Sequence, residues 1–291
     1  MSWSRTYTGE NPQRINKWLA QSGVCSRREA DALIEAGRVK INGEIVDTPG
    51  RKIAPGETLV LDETATEKLS SAITAVLNKP VGYISAQPEK GQIPAARLLT
   101  QANLVGEAKA IPTRNTRLAP VGRLDMDSRG LLLLTEDGVL TKAVIGPASN
   151  IEKEYIVTVE GDITDHAVGK LRHGLTLDNR QLKPAKVSRE AGQVLRFKLR
   201  EGRKRQIRRM CKLVGLTVVD LHRIRIGRVE LGDLPEGKWR TLTNEERDSL
   251  VAAPKQSAKP PQKTPQRSQY NTGNRKKPAS RPPRGKSGAK R

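Results

Sequence analysis

Residues Pro120–Gly138 read PVGRLDMDSRGLLLLTEDG, and the stretch sets two kinds of residue against each other. Arg123, Asp125, Asp127, Ser128 and Arg129 crowd between Gly122 and Gly130, and Leu131 to Leu134 follow at once. Four leucines closed by a threonine suit a buried strand. A turn needs polar residues, but it does not need this many charges of both signs. The charges bind a metal, or cap one another, or include a reactive group. Asp125, Asp127, Gly130 and Glu136 do fall at positions 1, 3, 6 and 12 of a calcium-loop spacing. Position 5 of that pattern, a ligand seat, is Arg129, and leucines fill the part that should be a polar loop. A guanidinium there repels a cation, so the match is one of spacing only. The capping reading accounts for Asp127, Ser128 and Gly130, since Asp and Ser bond turn amides and an arginine neutralises a carboxylate. It leaves open why Asp125 lies beside Arg123 next to an apolar segment.

Working outward, EDGVLTKAVIG predicts a helix ending at Gly146. EKEYIVTVEG alternates Tyr155, Val157 and Val159 against Ile156 and Thr158, the period of a half-buried strand. QVLRFKL and VVDLHRIRIGRVEL read as further strands, and ITAVLNKPVGYIS as a β-rich opening with a turn at Pro80 and Gly82. Between the strands, KRQIRRMCKLVG places Arg205, Arg208 or Arg209, and Lys212 along one helical face, with Gly215 as the stop. Residues 94–119 read as a loop with a short helix. Many strands with few, scattered helices predict an α+β domain over 73–250, built on a mixed, mainly antiparallel sheet.

A separate unit precedes it over 12–62. Ile15, Trp18 and Leu19 give one short amphipathic helix, with Arg14 and Lys17 turned outward. Ser26 and Glu29 form a capping box ahead of a second helix that stops at Gly37. Asn42-Gly43 between β-rich arms signals a hairpin. Arg27, Arg28, Arg38 and Lys40 make this unit basic, either as a solvated face or as an RNA-binding one. Residues 63–72 are polar and read as a linker. Residues 254–291 carry twelve Lys/Arg and seven Pro and no acidic residue, a composition that predicts disorder.

That tail supplies twelve of the formal +22, so ten positive charges remain on residues 1–253. The body itself therefore suits a polyanionic partner. No apolar run reaches the roughly 18 residues of a membrane span, and the N-terminus lacks a signal-peptide core. Cys25 and Cys211 stand alone, which suits a reducing cytoplasm, and no metal-ligand spacing links the three histidines. Neither nucleotide-binding glycine motif occurs.

Two resemblances sharpen this reading. RINKWLAQSGVCSRREADALIEAGRVKINGEIV resembles an S4 domain, a small RNA-binding module of two helices and a hairpin. GRLDMDSRGLLLLTEDG, with LNKPVG, EKEYIVTV and EGRKRQIRRMCKLVG in the same order, resembles the RsuA-type pseudouridine synthases, the bacterial ribosomal RNA branch of that enzyme family. The resemblance implies that Asp125 is catalytic. It further implies that Tyr155 packs on the target base, with a possible part in removing a proton, and that Arg208 pairs with the aspartate. Arg123 would help open the RNA stack or hold the flipped nucleotide, and Arg203, Arg205 and Arg209 would contact RNA beside it. Lys204 departs from the smaller polar residue expected there, which leaves the local phosphate contacts open.

Converting uridine to pseudouridine breaks the N1–C1′ bond and joins C5 to C1′, exchanging no electrons, phosphate or methyl group, so no cofactor and no metal is expected. An ionised carboxylate acts in such a reaction as nucleophile or as base. The base must leave the helix and be held, commonly by an aromatic face. The implied substrate is a uridine of 23S ribosomal RNA, with small-subunit or transfer RNA as alternative targets, and the protein is expected to be a cytoplasmic monomer. The rival from another class is a non-catalytic RNA-binding or ribosome-assembly factor.

Overall fold

The four leucines lie in a strand, Arg129–Thr135, that is buried along its whole length after Arg129. The computed structural model describes residues 2–85, 88–113, 115–173 and 175–252, and the basic tail read as disordered lies outside them. Numbered along the chain, the strands of the large sheet are β1 (Thr74–Lys79), β2 (Ala119–Val121), β3 (Arg129–Thr135), β4 (Lys153–Glu160), β5 (Lys186–Arg189), β6 (Val194–Leu199), β7 (Thr217–Ile226), β8 (Val229–Glu230) and β9 (Trp239–Thr241). Their order is β5-β6-β4-β7-β3-β1-β9, with β2 added on β3 and β8 on β7. Only the β3–β7 pair in this sheet is parallel. The mixed, mainly antiparallel sheet of an α+β domain is thus present.

The helices are α1 (Ile15–Gln21), α2 (Arg27–Glu35), α3 (Glu63–Ser70), α4 (Gly138–Ile145), α5 (Asp165–Arg172), α6 (Gln206–Leu213) and α7 (Asn244–Val251). Both faces of β3 are covered, which is why its sequence does not alternate. Leu131 and Leu133 pack with Leu140 and Val144 of α4 and Leu250 of α7. Leu132 and Leu134 pack with Leu99, Leu124 and Trp239 on the other side. In the far half of the sheet, Val157, Phe197 and Leu221 meet Val168 and Leu171 of α5 and Ile207 and Met210 of α6.

The parallel β3–β7 contact is short, Arg129 opposite His222 and Gly130 opposite Arg223. Gly130 has φ +103°, and a Cβ there would stand 2.3 Å from the Arg223 carbonyl oxygen. Only glycine permits so close an approach.

The N-terminal unit holds α1, α2 and a four-stranded antiparallel sheet, with Ile15, Leu19, Ile34, Val39 and Leu59 in its core. Asn42 (φ 50°) and Gly43 (φ 91°) make the hairpin turn. Two features differ from the sequence reading. A strand at Trp3–Thr6 pairs with Thr58–Leu61, so this sheet begins before Pro12. Trp3 and Tyr7 set their rings 6.1 and 5.5 Å from Trp18, anchoring the otherwise exposed, polar-looking N-terminal segment by its aromatics. The segment read as a linker contains α3, whose first turn is held by an Asp62 cap on the Ala65 amide at 2.8 Å.

The capping box forms as expected, with Ser26 accepting from the Glu29 amide and Glu29 from the Ser26 amide. Glu29 Oε1 also accepts from the Gly138 amide at 3.3 Å, so one carboxylate serves the starts of α2 and α4. Lys142 donates to the Ala20 carbonyl at 2.9 Å beside it. Ser26→Ala is expected to cost about 1 kcal/mol, read as a fall of a few degrees in the melting temperature. An unchanged melting point would show that the cap contributes nothing. Among the described residues no helix is long and apolar enough to cross a membrane.

Candidate active site

The turn between β2 and β3 is tied down at several points. Ser85 Oγ donates to the Leu124 carbonyl (2.7 Å) and accepts from the Leu124 amide (3.0 Å). The Gly82 amide donates to the Met126 carbonyl (2.9 Å), and the Ser128 amide to the Asp125 carbonyl (3.1 Å). Each charge of the motif then finds a different place.

Arg129 makes a two-pronged bond to Asp220, with Nε at 2.9 Å and Nη2 at 2.8 Å. The residue in the would-be calcium seat is thereby committed to a carboxylate on β7. Asp127 receives Nη1 and Nη2 of Arg205 at 3.1 and 2.9 Å. Arg208 Nη2 donates to the Asp127 carbonyl (2.6 Å) and to Ser128 Oγ (3.3 Å), and Nη1 to the Val218 carbonyl (3.0 Å). Its Nε is 3.4 Å from Asp127 Oδ2, within ion-pair range but without a hydrogen bond. Burial alone would raise the Asp127 pKa, but Arg205 and Arg208 together outweigh it and hold the carboxyl below its ordinary range. Asp127 and Ser128 are thus the scaffold of the turn.

Asp125 is the carboxylate left over. Its side chain is 38% exposed, and its ion-pair partner is Arg205 Nη1 at 3.8 Å. The expected pairing of Arg208 with Asp125 is therefore corrected. Arg208 sits in the first turn of α6 and reaches across to β7 and the Asp127–Ser128 backbone, while Arg205, at the helix entrance, stands nearer Asp125. Arg205 pays for that place in backbone geometry, since its φ is +52° and it caps α6 without a side-chain cap bond. A bulky residue in the left-handed region is strained, and such residues concentrate at working sites.

Asp125 opens on a cleft of about 660 Å³, whose walls include Tyr155, Leu221, Ile207 and Arg208. Tyr155 lies on β4, half-buried, opposite Phe197 of β6 and Arg223 of β7. The structure thus brings Asp125, Tyr155 and Arg208 to one cavity. Nine arginines and lysines line it against two carboxylates, Asp125 and Glu201, which favours a polyanion.

The other expected RNA contacts divide. Arg123 is exposed at the cleft, and Arg14, Lys17, Arg27, Arg28, Arg38 and Lys40 are exposed on the N-terminal unit, with Arg38 3.3 Å from Asp62. Arg203 instead donates to the carbonyls of Leu177, Arg180 and Gln181, and Arg209 pairs with Asp178 at 2.7 Å. Both hold the hairpin at 176–181, Arg203 through its backbone carbonyls and Arg209 through the Asp178 carboxylate, and Arg209 does not line the cleft.

Lys153 and Arg223 are among the cleft residues that sequence reasoning missed. Lys153 donates to the carbonyls of Val144 and Ile151, and burial, with Arg223 and Lys183 adding, lowers its pKa to about 8. Arg223 is only 3% exposed. Its signal was present in the alternation of β7, which puts an arginine two residues from the buried Leu221.

Residues 13–59 match the S4 domain family, and residues 73–213 match the family described as RNA pseudouridylate synthase. The chain is 38% identical over 258 residues to the dual-specificity RNA pseudouridine synthase RluF of Escherichia coli O6:H1, covering 85% of this chain and 84% of that protein. It is 36% identical over 251 residues to the putative ribosomal large subunit pseudouridine synthase SVR1, chloroplastic, of Arabidopsis thaliana, covering 83% of this chain and 61% of that one. A crystal structure of a pseudouridylate synthase superposes with a TM-score of 0.56 at 28% identity, covering 81% of this chain and 99% of that one.

Proposed function

The chain belongs to the RNA pseudouridine synthase family, whose reaction is an isomerisation, and we propose that Asp125 carries that reaction on a uridine of 23S ribosomal RNA. The observation that supports it most is the division of labour in the turn. Asp127 is held by two arginines, whereas Asp125 faces the cleft with one ion-pair partner at 3.8 Å. A carboxylate that reacts must be aimed at the substrate and unencumbered, and Asp125 lines the cleft, whereas Asp127 lies outside its lining and is occupied by Arg205 and Arg208. The rival reading, a binding factor without catalysis, gives no reason for a cleft-facing carboxylate among so many phosphate-seeking cations.

Each neighbour then has a role. A uridine extruded from its helix enters the cleft, where Tyr155 offers its ring to the base. Asp125 acts at the ribose, the N1–C1′ bond breaks, the base turns, and C5 bonds to C1′. Arg205 and Arg208 keep the turn in place through Asp127. Arg123 and the exposed arginines of the N-terminal unit grip the backbone of the RNA, and a single copy of the chain, working in the cytoplasm, is sufficient for the reaction. A second RNA target is supported by the relative named for dual specificity, and the large-subunit target by the relative named for the large subunit.

Mapping pseudouridines in total RNA from cells with and without the gene tests the substrate. Loss of a 23S site on deletion, restored by the wild-type gene, is the expected result. Loss confined to small-subunit or transfer RNA would refute the 23S assignment, and no loss would favour the binding factor. Within the cleft, Tyr155→Ala is expected to slow conversion about 100-fold. Tyr155→Phe keeps the ring and isolates the hydroxyl. A fully active Phe variant would assign Tyr155 to stacking alone, and an inactive one to proton removal.

A further inference from the structure

Arg223 is a buried cation that makes no ion pair among the described residues. Its Nε donates to the Leu131 carbonyl at 2.7 Å, which fixes the guanidinium against β3. Nη2 is buried and has no hydrogen-bond partner among the described residues. Nη1 lies by Gly122, 3.8 Å from where a Cβ would stand, and Arg223 lines the same cleft as Asp125 and Tyr155. Its neighbours sharpen the imbalance. Burial lowers the Lys153 amine to about 8, and the charge of Arg223 adds to that. Lys79, fully buried, is lowered in the same direction by burial and by Arg223 against the pull of Asp127.

A lysine relieves such crowding by losing its proton, but a guanidinium does not. An uncompensated buried charge is costly, and donors fixed in advance around an empty space serve a charge that appears there during reaction. The reaction creates one. When the N1–C1′ bond breaks, its electron pair stays with the uracil ring and spreads onto the carbonyl oxygens.

We propose that Arg223 is a further catalytic residue, whose Nη1 donates a hydrogen bond to a uracil carbonyl oxygen and stabilises the ring's negative charge while the base is detached from the ribose. This rests on the reading of the cleft as the active site. The pair left on the ring then forms the C5–C1′ bond, the proton on C5 departs, N1 takes up a proton, and nothing is oxidised or reduced. The competing anion is a phosphate of the same nucleotide, which would bind Arg223 equally in the ground state and throughout the reaction.

The test compares target RNAs carrying uridine or 5-fluorouridine, whose ring is the better leaving group and needs less stabilisation. Under single-turnover conditions with saturating RNA, loss of the starting nucleoside is followed by chromatography of digests. R223Q is expected to slow cleavage about 100-fold on uridine and about tenfold on 5-fluorouridine, with RNA affinity within about twofold of wild type. R223K, which keeps the charge, should recover part of the rate. An equal defect on both bases would overturn the proposal, as would a defect confined to affinity with a shallower salt dependence, the sign of a phosphate contact. Should R223Q fail to fold by circular dichroism, the same comparison on R223K decides, with a uridine defect that shrinks on 5-fluorouridine expected and a constant one contrary. Asp125→Asn separates the two readings. A fully active Asn variant would sink the assignment of the cleft itself, whatever Arg223 does.

Discussion

Asp125→Asn is expected to give a folded protein that binds RNA and forms no detectable pseudouridine, a loss of about 10⁴-fold or more in rate. The variant keeps the size of the side chain and removes the charge, so neither attack on the ribose nor proton removal survives. Folding should be nearly unaffected. The side chain is more than a third exposed, and its long ion pair with Arg205 is of the kind that contributes about 0–1 kcal/mol. RNA affinity should not fall, because removing a negative charge from a cationic cleft does not weaken its hold on phosphate. Asp127→Asn provides the contrast. It loosens the Arg205 and Arg208 attachments and should reduce activity together with the melting temperature. If Asp127→Asn abolished conversion and Asp125→Asn spared it, the two aspartates would have to exchange roles.

The second large effect concerns stability. Gly130→Ala should fail to accumulate as folded protein, with destabilisation of about 4 kcal/mol or more. Its Cβ would have to occupy space 2.3 Å from the Arg223 carbonyl oxygen and 2.5 Å from the His222 ring, at a φ of +103°. Two of the three nearest atoms, the Arg223 carbonyl oxygen and amide nitrogen, are β7 backbone and leave little to yield. Relief requires β3 to move from β7, and that seam also carries the Arg129–Asp220 pair and the Arg223 bond to Leu131. Circular dichroism and thermal melting of the purified variant check this, and a melting curve close to that of wild type would show that the seam adapts.

Much of the fold could be read from the sequence where local chemistry and tertiary environment agree. The capping box at Ser26 and the Asn42-Gly43 turn are such cases, since each is fixed by contacts within a few residues, and the alternation in β4 is another, since its period matches the sheet it joins. Two kinds of feature were hidden. The strand at Trp3–Thr6 and helix α3 look polar because they lie at the surface and are held by a few aromatic or capping contacts. The partners of the arginines were hidden for a different reason. Arg203, Arg205, Arg208 and Arg209 are nearly equivalent as letters, and only the fold decides that one meets carbonyls, two meet Asp127 and one meets Asp178. The site was legible as a set of residues, but its wiring was not.

Arg205 carries a consequence for anyone who edits this chain. Its left-handed backbone is a place where glycine would relax the conformation. A selection or design scheme rewarding heat resistance alone would therefore be drawn to position 205 early. Glycine there would remove the guanidinium that grips Asp127 and stands beside Asp125, trading turnover for robustness. The residue least comfortable in the fold is one that an engineer should leave alone.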